Sequence, residues 1–478
     1  MKPTVKRATI AGGAFAIVLG IASAGYLAFR HNVVPASPPS TAITPTTGMA
    51  EAHPGFLYGR ITLYGGDTYE GRLRWGRDQE AFWGDYFNGF KEQNPWAAYV
   101  PPERLRKEPR PIKIFGIQIG RSGGQIDLAR PFMARFGDIT RIELLGRNVR
   151  VTLKSGTVFD LGFYSSNDFD DGVRVWDGSR GVLDFVPQRF RAIDFNFGPR
   201  RVRAIDFLPA AAAGAVPQRL HGTVRTRQGD FTGFVQWDRN KGVSTDELSG
   251  RTADGNLSLR FDTLRSIARH SSDSSRVTLL DGREIVLSGT REAGHDNLGI
   301  YVDDPRYGRV LISWDAFERL DFSPGGSGPA YGDFPPGHPL TGSVTTRDGR
   351  RLAGRLVYDL DESETTETLD APSQGVNYTI PFGLIASIVL PSREERGAQH
   401  AGVTLHTGEE LQLERSGDLG EGNGGMLIFV DGSQRPEYVR WTDIEQVNFQ
   451  RPPSMYPPQG ERLITGAKVK AKGQESKR

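Results

Sequence analysis

Residues Gly299 to Phe322 read GIYVDDPRYGRVLISWDAFERLDF, and they decide the fold. Val310, Ile312 and Trp314 alternate with smaller or polar residues, the pattern of a strand with one buried face. The period then changes. Phe317 and Leu320 follow Trp314 at steps of three, and Leu320 and Phe322 resume the alternation. A strand, one tight helical turn and a second strand would bury all of these side chains on one side. Related endings recur at Ile193-Asp194-Phe195 and at Trp441, Ile444, Val447 and Phe449. Shorter versions stand at Phe136-Ile139-Ile142, Phe261-Leu264-Ile267 and Phe382-Ile385-Ile388. Six such endings imply repeated small β units.

The repeats extend outward from these endings. Gly222-Thr-Val224, a turn at Gln228-Gly229 and Gly233-Phe-Val235-Gln-Trp237 match Gly342-Ser-Val344, Asp348-Gly349 and Gly354-Arg-Leu356-Val-Tyr358. Gly59-Arg-Ile61, Gly65-Gly66 and Gly71-Arg-Leu73-Arg-Trp75 give a third copy. Glycine pairs of this kind suit hairpin turns, and the glycine opening each second strand allows a bend or bulge. A second hairpin starts at Val151, Val277 and Val403, each 126 residues after the last. So regular a period marks tandem organisation. Five short elements with one helical turn before the last resemble, in layout alone, an SH3-like or Sm-like small barrel. The expected fold is therefore all-β: three long units, each of two related halves, or six small barrels. Unit 1 covers 55–207 with an aromatic insertion at 77–135, unit 2 covers 218–323, and unit 3 covers 340–450. Barrels of this size are marginal alone, so paired halves should share an interface.

The chain has 59 basic and 57 acidic residues and no cysteine. Lys2, Lys6 and Arg7 at one end, and seven basic against two acidic residues after Gln450, leave the body between them acidic by six charges. Such a body does not attract nucleic acid in bulk. The missing cysteine excludes disulfides, thiolate metal sites and a thiol nucleophile. Residues 1–30 read as a signal peptide or a membrane anchor: positive residues precede the apolar run Ala8 to Phe29, and Ala22-Ser23-Ala24 fits a cleavage site. Both options export the body, to the periplasmic or extracellular side, and an uncleaved segment would hold it to a membrane. Residues 31–54, rich in proline and threonine, form a tether, and 451–478 form a basic disordered tail.

Chemistry is sparse. No phosphate-binding glycine loop or serine elbow is present. The eight histidines, His400 and His406 included, lack a zinc-ligand pattern, and His295-Asp296 reads as a hydrated turn. Asp168, Asp170 and Asp171 are the best candidates for a hard cation, though an exposed acidic turn explains them more simply. Glu362, Glu364 and Glu367 read as a solvated loop. Asp315 and Asp443 are expected to cap the helical turns beside them. No cofactor, metal site or catalytic residue is assigned. The insertion concentrates aromatic residues, and Trp83, Tyr86, Phe87, Trp96 and Tyr99 are the candidate binding surface; the competing role is to plug the side of unit 1. The functional expectation is a non-enzymatic envelope-associated protein that binds or scaffolds a protein, glycan or wall polymer. The alternatives are a carbohydrate-active envelope enzyme, with acids framing a sugar bond, and a purely structural spacer.

Overall fold

In the computed structural model, unit 1 begins with strands β1 (Tyr58–Leu63), β2 (Thr68–Trp75) and β3 (Tyr86–Phe90). The insertion contributes β4 (Arg106–Ile114) and β5 (Ile117–Gln125). The unit then runs through β6 (Pro131–Arg135), β7 (Ile139–Leu145), β8 (Asn148–Leu153), β9 (Val158–Gly162), β10 (Val173–Asp177), β11 (Gly181–Phe185) and β12 (Val202–Phe207). Unit 2 comprises β13 (His221–Thr226), β14 (Gly229–Gln236), β15 (Glu247–Thr252), β16 (Gly255–Arg260), β17 (Leu264–Ser271), β18 (Ser274–Leu279), β19 (Glu284–Ser288), β20 (Ile300–Asp304), β21 (Gly308–Ile312) and β22 (Phe317–Phe322). Unit 3 repeats the order as β23 (Thr341–Thr346), β24 (Arg351–Val357), β25 (Thr368–Ser373), β26 (Val376–Pro381), β27 (Ile385–Val389), β28 (His400–Leu405), β29 (Glu410–Glu414), β30 (Met426–Val430), β31 (Glu437–Val439) and β32 (Ile444–Phe449). The structure describes residues 54–454 except 77, 103–105, 115–116, 126–130, 147, 163–171, 186–200, 211–216, 327, 393–398, 431–432 and 434, and for 106–125 the backbone pairing alone. The signal or anchor, the tether, Asp168, Asp170, Asp171, the ending at Ile193 and most of the basic tail lie outside the described residues.

Each unit contains one eight-stranded antiparallel array with the same strand order: β11-β10-β2-β1-β12-β7-β8-β9 in unit 1, β21-β20-β14-β13-β22-β17-β18-β19 in unit 2, and β31-β30-β24-β23-β32-β27-β28-β29 in unit 3; β3-β6 and β4-β5 form separate two-stranded sheets. None of these sheets closes into a barrel. The six separate barrels expected from the sequence are corrected accordingly. The last strand of each unit lies between the first strand and β7, β17 or β27, so the two halves interleave in a single open sheet. The physical reason is that alternation identifies a strand's buried face but says nothing about its neighbours.

The core shows how closely the copies agree. One layer crosses each sheet as Ile61–Ile205–Ile142–Val151, Val224–Leu320–Ile267–Val277 and Val344–Val447–Ile388–Val403. All twelve side chains are at most 1% exposed. The Val151, Val277 and Val403 that revealed the period thus occupy one equivalent position. The tight turns also form as expected. Single 3₁₀ turns at Phe136–Asp138, Phe261–Thr263, Phe382–Leu384 and Trp441–Asp443 each bury their leading aromatic residue. Asp315, beside the turn that follows Ser313, does not act as the expected cap. Asp315 stays 91% exposed at its side chain beside Arg269, and Asp443 binds the Arg440 guanidinium at 2.6 Å.

Gly71, Gly233 and Gly354 mark a close backbone approach in each second strand, and no register shift or bulge interrupts its hairpin there. A Cβ there would meet the carbonyl oxygens of Trp176, Asp303 and Phe429 at 1.9, 2.0 and 2.0 Å. No side chain fits that approach, so the third neighbour can close over the hairpin only at glycine. Units 2 and 3 also share a sheet. β26 pairs with β21, and the β25–β26 hairpin of unit 3 extends the unit-2 sheet to twelve strands. Among the described residues, no helix is long and apolar enough to cross a membrane.

Candidate functional site

The five aromatic candidates separate into two groups. Trp83, Tyr86 and Phe87 are 3%, 3% and 0% exposed. Phe87 packs edge-on against Trp75 and Phe136, with ring centres 5.5 and 6.3 Å away. Trp83 lies under the Arg135 guanidinium, and Tyr86 under that of Arg309 from unit 2. These three are core and inter-unit residues, which corrects their assignment to a contact surface. The reason is that β3 and β6 form the counterpart of the β15–β16 and β25–β26 hairpins, so that Tyr86 and Phe87 at the start of β3 are covered while Phe90 at its end stays 46% exposed.

Trp96 and Tyr99 remain accessible. Pro95–Tyr99 form one 3₁₀ turn; Pro95 supplies a preset φ at its start, and the Asn94 side-chain oxygen accepts a hydrogen bond from the Trp96 amide at 2.9 Å. The Asn94 amide also donates to the Leu360 carbonyl of unit 3 at 2.8 Å. This contact carries the turn across to unit 3, where Trp96 and Tyr99 meet Phe429 edge-on at 5.9 and 5.7 Å. Arg355 places its guanidinium 4.9 Å from the Trp96 ring centre and 4.8 Å from that of Phe429. Below lie Val100, Val357, Leu360 and Leu427. Tyr99 is 42% exposed and Trp96 is half-buried, so the cluster forms a ridge of aromatic faces beside one cation. Phe429 and Arg355 were not among the residues the sequence singled out. A signal was present in Met426-Leu427-Ile428-Phe429, an unbroken apolar run, which means a strand covered on both faces.

Two ionic hubs join unit 1 to its neighbours. Toward unit 3, the Lys91 ammonium is 2.9 Å from Glu367 and 3.1 Å from Asp361, all three nearly dry. Burial works against that ammonium, yet Glu367, Asp361 and Glu362 together keep its pKa above the usual lysine value. Glu367 also accepts the Ser363 and Glu364 amides, and Thr157 donates to Glu364. Glu364 and Glu367 are therefore buried at an interface, which corrects the solvated loop expected there. Toward unit 2, Asp85 accepts the Glu80 and Ala81 amides, both at 2.8 Å, and a hydrogen bond from Gln236. Arg309 reaches Asp303 at 3.0 Å, and Arg219 stands 3.9 Å from the same carboxylate. Burial raises the Asp303 pKa despite these two cations.

The remaining candidates stand apart. His295 is exposed and pairs with Asp273 and Asp296; His406 is half-buried, and burial lowers its pKa. Trp237 and Trp314 meet edge-on at 6.3 Å inside unit 2. Among the described residues, no group of three or more histidine, aspartate or glutamate side chains is arranged to hold a metal ion.

No family model matches this chain, and no curated protein matches it. A solved structure, described as "Streptogramin B lyase structure", is similar at 9% identity over 66% of this chain and 94% of that one, with a TM-score of 0.10. A superposition that loose carries no argument about fold or activity.

Proposed function

We propose that this chain is an exported, non-enzymatic binding or scaffolding protein of the cell envelope, and that the Trp96–Tyr99–Phe429–Arg355 ridge is its contact surface. In this reading each unit is a doubled SH3-like layout, opened and merged into one sheet. The observation that carries the proposal is the ridge itself. Aromatic faces beside a guanidinium suit a glycan or wall polymer, whose rings stack on π faces and whose hydroxyls and carboxylates accept hydrogen bonds. The supporting turn is fixed to unit 3 before any ligand arrives, which lowers the ordering cost of binding. The glycosidase alternative has less support, because Glu364 and Glu367 are packed against Thr157 and Lys91 instead of facing a groove.

The test is binding of the full chain to purified wall polymer, compared with the Trp96→Ala/Tyr99→Ala variant and with Leu280→Ala as a surface control. A loss of about tenfold or more in the double variant, at an unchanged melting temperature, is the scale of a contact hot spot. Equal binding by all three proteins would remove the ridge from consideration.

A further inference from the structure

We infer that the outer edges of β11 and β16 are complementary pairing strands through which one copy of this chain joins another. The template lies inside the chain. β21 pairs with β26 in the register Arg309↔Thr379, Val310↔Tyr378, Leu311↔Asn377 and Ile312↔Val376, and this seam joins units 2 and 3. In unit 1 the counterpart of β21 is β11. Gly181 pairs with Asp177 and Phe185 with Val173, as Gly308 pairs with Asp304 and Ile312 with Ile300. Gly181 and Gly308 also share a positive φ, +80° and +87°. In unit 2 the counterpart of β26 is β16. Counting back from the 3₁₀ turns, Asn256 and Ser258 stand where β26 has Asn377 and Thr379.

Both counterparts end their hydrogen-bonded order, and no described strand pairs with the outer edge of either. Their burial records what is missing. Val310, Ile312 and Ile380 are fully buried and Tyr378 is 5% exposed, whereas Leu183, Phe185, Leu257 and Leu259 at the matching positions are only half-buried. From Asn256 to Leu259 the β16 edge carries no proline and no charge, the usual devices that keep an edge unpaired. The third combination, β31 with β6, lacks the length for this register because β31 has three residues. Among the described strands, β11 and β16 are thus a pair of unpaired edges of the two kinds, one on each of two units. Transferring the register pairs Val182 with Ser258, Leu183 with Leu257 and Asp184 with Asn256. The edges belong to different units, so the contact is heterologous, and it generates a ring or an open file of copies. This inference does not depend on the aromatic ridge.

The cysteine-free chain permits a direct test. Full-length Val182→Cys and Ser258→Cys, prepared separately and mixed under mild oxidation, should form a disulfide between copies, since directly opposed strand residues lie within bridging distance. Val182→Cys mixed with Leu280→Cys, a position 58% exposed on another edge, measures random collision. Ser258→Pro removes an N–H on the open side of β16. That side follows from the Ser313 amide bonding the Gly375 carbonyl, which by alternation turns the Thr379 amide, and so Ser258, toward the seam. Association measured by sedimentation should fall about tenfold or more in this variant. Cross-linking no faster than the collision control would overturn the inference. So would a Val182→Cys/Ser258→Cys double variant that forms its disulfide only within single copies, which would mean that β11 closes on β16 of its own chain.

Discussion

Glu362 concentrates the electrostatic cost of packing the acidic loop of unit 3. The residue as a whole is half-buried, but its Oε2 atom is shut from solvent with no hydrogen-bond partner. Burial first, then the neighbouring Asp361, Asp418 and Asp359 carboxylates, push its pKa well above the ordinary 4.5. The folded state therefore keeps this proton over a pH range in which the unfolded chain has released it. Stability from this group is present below pH 4.5 and is lost as pH rises through the folded-state value. Glu362→Gln removes that loss. Thermal melts should place the variant above the parent at pH 8 and level with it at pH 4; a variant that melts lower at pH 8 contradicts the assignment. None of this was legible from the acidic loop itself. Acid clusters are ordinarily solvated, and the compensating Lys91 lies 276 residues away from Glu367 in the insertion. Trp96 and Tyr99 were legible as accessible aromatics, but Trp83, Tyr86 and Phe87 were not separable from them, because composition marks a cluster without showing which members a neighbouring unit covers.

The hairpin and its close-packed glycine are the element most readable in the sequence. The spacing of 126 residues, the turn residues and the step-of-three closures each predicted a structure that formed, because all of them depend on local backbone chemistry. Long-range pairing did not follow. The contacts of β12 with β1 and of β26 with β21 depend on which edges meet, and two strands with the same alternation are interchangeable until a third selects between them. Gly233 tests the local half of this account. A methyl group there would lie 2.0 Å from the Asp303 carbonyl oxygen and 2.7 Å from its carbon, both backbone atoms with little freedom to retreat. Gly233→Ala should part β14 from β20 and cost about 3 kcal/mol or more, the upper range for overpacking. Gly332→Ala, with nothing within 4 Å of the new Cβ, should change stability by no more than about 0.5 kcal/mol. Denaturant titration measures both. Equal midpoints would mean that the pairing of β14 with β20 does not rely on close approach at the glycine.

At the scale of the molecule, three copies of one sheet are joined in three different ways. Units 2 and 3 share strands, unit 1 meets unit 2 through Asp85, Gln236 and Arg309, and unit 1 meets unit 3 through Lys91 and the Trp96 turn. Shared strands couple two bodies more tightly than side-chain contacts, since separating them exposes both backbone hydrogen bonds and core. The seam also carries an aromatic triangle: Tyr378 stands 5.6 Å from Tyr307 and 6.0 Å from Phe231, with Tyr307 and Phe231 5.7 Å apart. Units 2 and 3 should therefore unfold as one cooperative body. Hydrogen exchange across a denaturant series should show β20–β21 and β25–β26 losing protection together. Tyr378→Ala removes the shared corner of the triangle at a cost of about 3–5 kcal/mol, the usual figure for a buried aromatic residue. It should split that event in two, with the β25–β26 hairpin exchanging first, because Tyr378 belongs to that hairpin while β21 keeps its pairing with β20. If the two hairpins already exchange at separate denaturant concentrations in the parent chain, the seam is a contact between independent bodies. A β11–β16 junction of the same pattern would then be correspondingly weak.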